Sequence, residues 1–343
     1  MLKRLLALLV PVLALLTTSL PSAAAAPSFQ LAYLHGDSYF VDCGSVSIAS
    51  LDGSPPQDFN LPAITSCGTP AWSPDGRYLA LSMPGLTLLD MQQNTMRLIV
   101  DPLKEPMVSG AFWSRDGAYL AWLEHRSAPE LWFFMHMSDG IKQPVDSLAA
   151  MQIAPDEIHF WSNPYDHIYF YHSGQQPQAA LFLNQPAICP VPISFQWEQG
   201  QMLCESDGDI FSASNDTQTI VNLTHTPDHQ ESNPQWSPDG TQIVYQVSDS
   251  FSSITWLEIM ASDGSNIRRL TYPASELNTP VFMVSPGNDV WPQWSPDGQY
   301  IAFQRLTGYK GEIMKIYVVK TDGSGLQYIG DGGHPTWRPI NLP

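Results

Sequence analysis

The sequence predicts an all-β protein, a seven-bladed β-propeller built from four-stranded antiparallel blades. Three observations lead to this prediction: the composition, a motif repeated at the length of one blade, and complementary strand patterns at the two ends of the chain. Thirty prolines, 23 glycines and 11% aromatic residues in 343 residues indicate many turns. Apolar residues make up 43% of the chain, which is enough for a large core and argues against disorder.

A tryptophan-containing motif sets the repeat length. Pro-x-Trp-Ser-Pro-Asp-Gly occurs at residues 70–76, 234–240 and 292–298, and a variant with arginine for the second proline ends at residue 117. Weaker copies place tryptophans at positions 161, 197 and 337, so that successive motif tryptophans are 36 to 58 residues apart. Four short strands need about 40–50 residues, which is one propeller blade.

Each unit contains four predicted strands, a to d, in chain order. Strand a ends at the tryptophan, and Ser-Pro-Asp-Gly then forms a β-turn in which proline fixes φ and glycine follows aspartate. Strand b is apolar on both faces, as at residues 243–245 and 300–303, which suits a blade packed between two others. Strand c leads into an Asp-Gly hairpin turn, as at residues 262–264 and 321–323, and strand d follows.

The two ends of the chain complement each other. Residues 31–61 carry b-, c- and d-like segments without a preceding tryptophan strand, and residues 336–338 carry an isolated a-like strand. We therefore expect the C-terminal strand to join the first blade and remove the exposed sheet edges. Six complete units and this shared blade give seven, whereas the ring has six blades if residues 150–190 are one irregular insertion.

The N-terminal residues 1–26 have the pattern of a signal peptide. Lys3 and Arg4 precede an apolar run over residues 5–16, and small residues follow at 22–26. The run is shorter than the roughly 20 residues that span a bilayer. Residues 27–343 are then expected to form a single extracytoplasmic propeller domain, periplasmic or secreted, which is a monomer and does not insert into the membrane.

The charge balance excludes one class of partner. The chain carries 33 acidic and 15 basic residues, a formal net charge of −18. Such a surface repels phosphate backbones, so we expect no nucleic acid partner. It also disfavours adhesion to anionic lipids.

Four cysteines suggest disulfides in an oxidising compartment. Cys43 and Cys67 form one local pair in the sequence, and Cys189 and Cys204 form another. Disulfides within these pairs are the simplest prediction, although two other pairings and four free thiols stay open. No C-x-x-C spacing occurs, so the cysteines do not predict a zinc site.

The repeat resembles that of TolB-like (WD40-like) β-propellers. The motif, the trailing Ser-Asp-Gly at 262–264 and Arg-Leu-Thr at 269–271 carry this resemblance over almost the whole chain after residue 26. It implies the propeller fold and leaves function open, because one fold supports many activities. TolB itself has an additional N-terminal α/β domain, which this sequence lacks ahead of its first strand, so we do not expect TolB itself.

The resemblance also connects the chain to two kinds of enzyme. Propellers accompany serine peptidases of the prolyl oligopeptidase type, but neither G-x-S-x-G nor H-E-x-x-H occurs here. Oligogalacturonate lyases are similar propellers with a histidine-held divalent metal. On that account His225, Asp228, His229 and Glu231 are candidate ligands, although a solvated loop between blades is the simpler interpretation and we predict no metal and no other cofactor.

The longest connection between units is the best candidate for a binding surface. It covers residues 272–291, and we expect it at the end of the blades where the b–c and d–a connections lie. The candidate binding residues are Tyr272, Phe282, Asn288, Asp289 and Trp291, joined by the 225–231 segment. We predict a non-catalytic propeller that binds a protein, peptide or glycan there. The alternative is a carbohydrate-active lyase or hydrolase with a metal-dependent site in the channel.

Overall fold

The computed structural model describes most of the predicted strand segments. The described residues are 29–35, 44–61, 68–82, 85–105, 107–113, 117–125, 131–144, 160–161, 168–170, 178–180, 192–196, 201–214, 219–249, 254–272, 287–307 and 313–340. They form strands and turns and contain no helix. In this part of the chain no helix could cross a membrane.

The described strands are arranged in seven sheets, numbered here along the chain. Sheet 1 contains β1 (Gln30–His35), β2 (Ser45–Ser50), β3 (Gln57–Asn60) and the last strand, β27 (Gly333–Trp337). Sheet 2 contains β4 (Ala71–Trp72), β5 (Tyr78–Ser82), β6 (Leu86–Asp90) and β7 (Thr95–Val100). Sheet 3 contains β8 (Met107–Trp113), β9 (Tyr119–His125), β10 (Leu131–His136) and β11 (Lys142–Pro144).

The remaining four sheets follow in order. Sheet 4 contains β12 (Phe160–Trp161), β13 (Ile168–Phe170) and β14 (Gln178–Ala180). Sheet 5 contains β15 (Pro192–Gln196), β16 (Gln201–Ser206), β17 (Asp209–Ser214) and β18 (Thr219–Asn222). Sheet 6 contains β19 (His229–Trp236), β20 (Gln242–Asp249), β21 (Thr255–Ala261) and β22 (Arg268–Arg269). Sheet 7 contains β23 (Asn288–Trp294), β24 (Tyr300–Thr307), β25 (Ile313–Lys320) and β26 (Gln327–Asp331).

Sheet 1 combines strands from both ends of the chain, as the sequence pattern predicts. β27 pairs antiparallel with β1, with Leu31 opposite Trp337 and Ala32 opposite Thr336. Beyond the strand, the Arg338 amide donates to the Gln30 carbonyl at 2.8 Å. The last strand therefore supplies the a position of the first sheet.

Neighbouring sheets pack face to face through apolar side chains. Buried clusters join sheet 1 to sheet 2 and sheet 2 to sheet 3, and further clusters join sheets 5 to 6, 6 to 7 and 7 to 1. The a strands also contact one another in succession, β15 with β19, β19 with β23, β23 with β27, β27 with β4 and β4 with β8. Sheets 1, 2, 6 and 7 are thus buried on both faces, which explains why their strands are apolar on both sides.

The repeated motif forms one turn in three copies. In the first copy the Gly76 amide donates to the Ser73 carbonyl at 2.8 Å, and Gly76 has a left-handed φ of 66°. The buried Ser73 hydroxyl donates to Asp75 Oδ1 at 2.6 Å and accepts from the Tyr78 amide at 2.8 Å. The copies that begin at Ser237 and Ser295 repeat these bonds. Serine is therefore a structural requirement of the motif, because it bridges the turn and the next strand.

The motif tryptophans connect each sheet to the preceding one. The indole nitrogens of Trp113, Trp294 and Trp337 each donate to the backbone carbonyl of the residue before the motif aromatic in the previous sheet, at 3.0 Å. Trp72 makes the same bond to Thr336 of β27 at 3.3 Å. Among the described residues the indole nitrogen of Trp236 has no hydrogen-bond partner.

The structure corrects the predicted extent of the 272–291 connection. Asn288, Asp289 and Trp291 lie inside β23 rather than in a loop, and His229 and Glu231 lie inside β19. The starts of these strands could not be predicted, because their alternation of apolar and polar residues is short and a bulge interrupts it. The predicted signal peptide, Phe282, Trp197, Cys43, Cys67 and Cys189 all lie outside the described residues. Cys204 is fully buried in β16 and forms a disulfide.

Candidate functional site

An acidic groove opens between sheets 5 and 6. It encloses about 610 Å³, within the roughly 300–1,000 Å³ that ligand sites usually occupy. Its lining residues are Glu205, Ser206, Asp207, Gly208, Gln230, Glu231, Ser232 and Ser248. Three of them are carboxylates and none is a cation.

The groove lies at one end of the sheets, which we call the groove end. Here β16 turns into β17, β19 begins and β20 ends, because His229 pairs with Asp249 at the start of that ladder. The Ser-Pro-Asp-Gly turns lie at the opposite end. The described parts of the b–c and d–a connections therefore share the groove end, and residues 225–231, Tyr272 and residues 287–291 belong to it.

A two-residue turn forms one wall of the groove. Ser206 pairs with Asp209, so Asp207 and Gly208 are the only residues between β16 and β17. Both have left-handed φ values, 52° and 86°, as in the type I′ turns of tight hairpins. This geometry projects the exposed Asp207 carboxylate beside β19, whose Glu231 amide donates to the Gly208 carbonyl at 2.7 Å.

Glu231 is the buried acid of the groove. Its side chain is 3% exposed, and Oε1 accepts a hydrogen bond from the Thr226 hydroxyl. Its other oxygen, Oε2, is buried and makes no hydrogen bond of normal geometry among the described residues, although the nearby Thr224 hydroxyl also favours the charged carboxylate. Burial raises the pKa of Glu231 above its ordinary value, because desolvation disfavours the charged form.

Glu205 is a partly buried acid that connects the two sheets. Its carboxylate accepts a hydrogen bond from the Asn233 amide of β19. Burial raises its pKa, and this hydrogen bond partly opposes the shift. The groove thus holds two desolvated glutamates and one exposed aspartate.

Left-handed bulges recur in the a strands near the groove end. Gly110, Asn233, Trp291 and His334 each precede a motif tryptophan by three residues, and each has φ between 50° and 66°. The ladders of β8, β19, β23 and β27 shift register at or beside these positions. A positive φ is strained for residues other than glycine, and such strain clusters at functional sites.

Side chains from the preceding sheet hold three of these bulges. The Trp291 amide donates to Gln246 Oε1 at 2.6 Å, and the His334 amide donates to Gln304 Oε1 at 3.2 Å. Glu205 makes the corresponding bond to Asn233. In each case a side-chain oxygen from strand b accepts a hydrogen bond from the bulge in the next sheet. Sheet 5 supplies a glutamate for this bond, whereas sheets 6 and 7 supply a glutamine.

Two of the bulge residues contact each other. The rings of Trp291 and His334 stack with centroids 4.9 Å apart. Burial lowers the pKa of His334, so its imidazole is neutral at physiological pH. The Nε2 atom of the fully buried Gln304 has no partner among the described residues.

The predicted residues of the 272–291 segment are divided between surface and core. Tyr272 is 57% exposed, with the Arg269 guanidinium 4.9 Å from its ring. Asn288 accepts a hydrogen bond from the Thr255 amide at 2.8 Å. Asp289 is fully buried, and its two oxygens bind Arg305 at 2.5 and 2.8 Å. The interpretation of Asp289 as a surface residue is therefore wrong, because the aspartate neutralises a buried guanidinium.

The predicted residues of the 225–231 segment also occupy different environments. His225 and Asp228 are exposed, whereas the His229 ring contacts the Trp256 ring edge-on at 5.4 Å. Glu231 lines the groove. Within the described ranges no three histidine, cysteine, aspartate or glutamate side chains are grouped so that they could hold a metal ion.

Sequence reasoning missed most of the groove. Glu205, Ser206, Gln230 and Ser232 belong to no motif, and Asp207 was visible only as part of an Asp-Gly turn. One signal was available: Glu205 occupies the position in strand b at which sheets 6 and 7 have glutamine. This equivalence can be recognised only after the strands are aligned by register.

Comparison with known proteins supports the fold and one distant relationship. No family model matches the chain. Over 136 residues the chain is 26% identical to the uncharacterized peptidase YuxL of Bacillus subtilis, a stretch that is 38% of this chain and only 17% of that protein.

Solved structures are similar over most of the chain. A prolyl endopeptidase structure gives a TM-score of 0.55 at 9% identity, covering 92% of this chain and 51% of its own. TolB from Acinetobacter baumannii gives a TM-score of 0.49 at 16% identity, covering 91% of this chain and 67% of its own. Together with the seven observed sheets, the first likeness supports a propeller fold of the kind that the repeat predicts.

Proposed function

We propose that this chain is a non-catalytic extracytoplasmic propeller that binds a protein, peptide or glycan partner at the groove end. One observation carries the proposal. The groove and the strained bulges Asn233, Trp291 and His334 lie near the same end of the sheets, whereas the described Ser-Pro-Asp-Gly turns at the opposite end are short and repeat the same hydrogen bonds. Function concentrates where a scaffold varies and stores strain.

Site-specific crosslinking tests this proposal. A photoreactive phenylalanine analogue replaces Gln230, which is exposed in the groove, or Ser265, which is exposed in a turn at the opposite end. In cells that produce the protein, we expect a discrete crosslinked product from position 230 and none from position 265. A product from position 265 alone would reverse the assignment of the binding end.

The same proposal includes a ring of seven blades closed by β27. The antiparallel pairing of β27 with β1 and the succession of contacts among the a strands support it. The three described strands of sheet 4 support a separate blade at residues 160–180 rather than one insertion.

An extracytoplasmic location agrees with the disulfide at Cys204. We propose the pairs Cys43–Cys67 and Cys189–Cys204, because disulfides persist outside the reducing cytosol. Peptide mapping without reduction tests both pairs, and the recovery of four free thiols would contradict them.

A second candidate is a role in peptide hydrolysis, favoured by the match to an uncharacterized peptidase. In this case the propeller would act as the part of a peptidase that admits or holds the substrate. Capture of the tagged chain from cells that produce it, followed by an assay of the captured material with chromogenic peptide substrates, tests this. Turnover that withstands repurification would favour this candidate over the binding-only proposal.

A further inference from the structure

We propose that the groove between sheets 5 and 6 binds an arginine side chain of a peptide partner, with Glu231 as its buried anion. This inference rests on the proposed function, because it specifies the chemistry of a partner at the groove end.

Within the described part of the chain, Glu231 has one carboxylate oxygen without a hydrogen-bond partner of normal geometry. A buried carboxylate normally accepts several hydrogen bonds, because burial without partners is costly. Glu231 is 3% exposed and lines the groove, yet its Oε2 makes no hydrogen bond of normal geometry among the described residues. A ligand that donates N–H groups in the groove would supply the missing bond once the Glu231 side chain turns Oε2, which has almost no accessible surface, toward it.

The neighbouring groups select a cation with several donors. Asp207 and Glu205 add two carboxylates, and the hydroxyls of Ser206, Ser232 and Ser248 add acceptors along the lining. A guanidinium carries five N–H donors in a planar fork and accepts nothing, which matches a lining of dispersed acceptors.

The distribution of the acids favours an organic cation over a metal ion. A metal ion needs ligands converging within about 2–2.6 Å of one point. No three histidine, cysteine, aspartate or glutamate side chains are grouped in this way in the part of the chain described here. An arginine head group, being larger, reaches carboxylates that are spread along a groove.

The whole chain supports the same choice of partner. Its net charge of −18 attracts cationic segments at long range. The exposed Asp207 and Gln230 lie among the lining residues, so a side chain of a peptide can enter from the surface. The proposed partner is therefore a basic segment of a peptide, with the arginine as its anchor.

Isothermal titration calorimetry with a defined peptide tests the inference. The probe is acetyl-Gly-Arg-Gly-Arg-Gly-amide, and its control carries citrulline, which keeps the shape of arginine and loses the charge. We expect the arginine peptide to bind with a Kd below about 1 mM and the citrulline peptide to bind at least tenfold more weakly.

Three single substitutions locate the binding. Glu231→Gln should weaken the arginine peptide by about tenfold or more, and Asp207→Asn by a smaller factor, because Asp207 is exposed and its charge is screened. Asparagine also tolerates the left-handed φ of 52° at that position, so this variant retains the turn. Asp263→Asn removes the same charge at the opposite end and should change Kd less than twofold.

The outcomes separate this inference from the proposed function. If Asp263→Asn and Glu231→Gln weaken binding of the arginine peptide equally, the peptide responds only to the net charge of the protein, and the proposed site is wrong. Tighter, Glu231-dependent binding of spermidine than of the peptide would replace the peptide by a polyamine. Absence of arginine binding together with a crosslink at position 230 would overturn the arginine site alone, whereas loss of both would overturn the proposed function as well.

Discussion

The buried pair of Asp289 and Arg305 shows how a single residue near the groove end can be structural. Arg305 is 1% exposed, and its guanidinium lies 4.8 Å from the Tyr317 ring and 5.5 Å from the Phe303 ring. Its charge is compensated by the two Asp289 oxygens. The pair keeps the start of β23 attached to β24.

Asp289→Asn should therefore lower the free energy of unfolding by about 3–5 kcal/mol, because it leaves a buried guanidinium without its counter-charge. Urea denaturation followed by circular dichroism measures the change. Asp322→Asn, which alters an exposed turn carboxylate, is the control and should stay within about 0.5 kcal/mol of the wild type. A loss as small as that of the control would show that the pair contributes little.

Glu231 should have the opposite effect on stability. Its pKa is raised in the folded protein, so the unfolded chain loses the Glu231 proton more readily than the folded protein does. The protonated form therefore favours folding. Its contribution to stability is fully present below the unfolded-state pKa of about 4.3 and is lost as the pH rises through the raised pKa of the folded protein. Glu231→Gln removes the ionisation. We expect its melting temperature to equal or exceed that of the wild type at pH 7, and the difference to shrink near pH 4. A lower melting temperature at pH 7 would contradict this assignment of the pKa.

At the scale of the element, the repeated turn depends on its serine. The Ser237 hydroxyl donates to Asp239 Oδ1 at 2.6 Å and accepts from the Gln242 amide at 2.9 Å. The hydrogen bond from Ser237 is the main cause that lowers the pKa of Asp239. One buried hydroxyl thus serves both the turn and the start of β20.

Ser237→Ala should lower the free energy of unfolding by about 1–3 kcal/mol, because it leaves buried polar groups unpaired. It should also shift the pKa of Asp239 back toward about 3.9, which NMR titration of the carboxyl carbon measures. Ser265→Ala is a matched control, since a hydrogen bond from Ser265 also lowers the pKa of Asp263 but in an exposed turn. It should shift that pKa with little loss of stability; equal losses in both variants would contradict the argument.

Strand-turn units could be predicted from the sequence because their signals are local. Ser-Pro-Asp-Gly specifies its turn within four residues, and the spacing of the motif specifies the unit. The bulges could not be predicted, because Asn233, Trp291 and His334 occupy left-handed positions where a sequence reader expects glycine. The groove was also hidden, since it forms where two sheets meet and its two glutamates are 26 residues apart in the chain.

At the scale of the whole molecule, β27 connects three sheets. It pairs with β1 in sheet 1, and its Trp337 indole donates to Gln293 of sheet 7 at 3.0 Å. The following residue, Arg338, donates through Nε to the Gly76 carbonyl of the first motif turn, next to sheet 2, at 2.7 Å. One short strand therefore contributes to two interfaces between sheets and to one sheet itself.

Deleting residues 334–343 should lower the melting temperature of the entire protein, because it opens both interfaces and exposes the edge of β1. Differential scanning calorimetry measures this, and deletion of residues 341–343 alone is the control. A truncated protein that melts at the wild-type temperature would contradict the closure by β27.

In the part of the chain that the structure describes, the indole N–H of Trp236 lacks the hydrogen bond to the preceding sheet that other motif tryptophans make, so the junction of sheets 5 and 6 should open more readily. Trp113, Trp294 and Trp337 each attach their sheet to the one before, whereas Trp236 packs at the boundary of sheets 5 and 6 without this bond. A buried proton that is not hydrogen-bonded exchanges with solvent as soon as its surroundings open. In D₂O the indole proton of Trp236 should accordingly exchange first among these four. The groove lies on that same boundary, so the least protected of these four junctions is also the one where we propose that a partner binds.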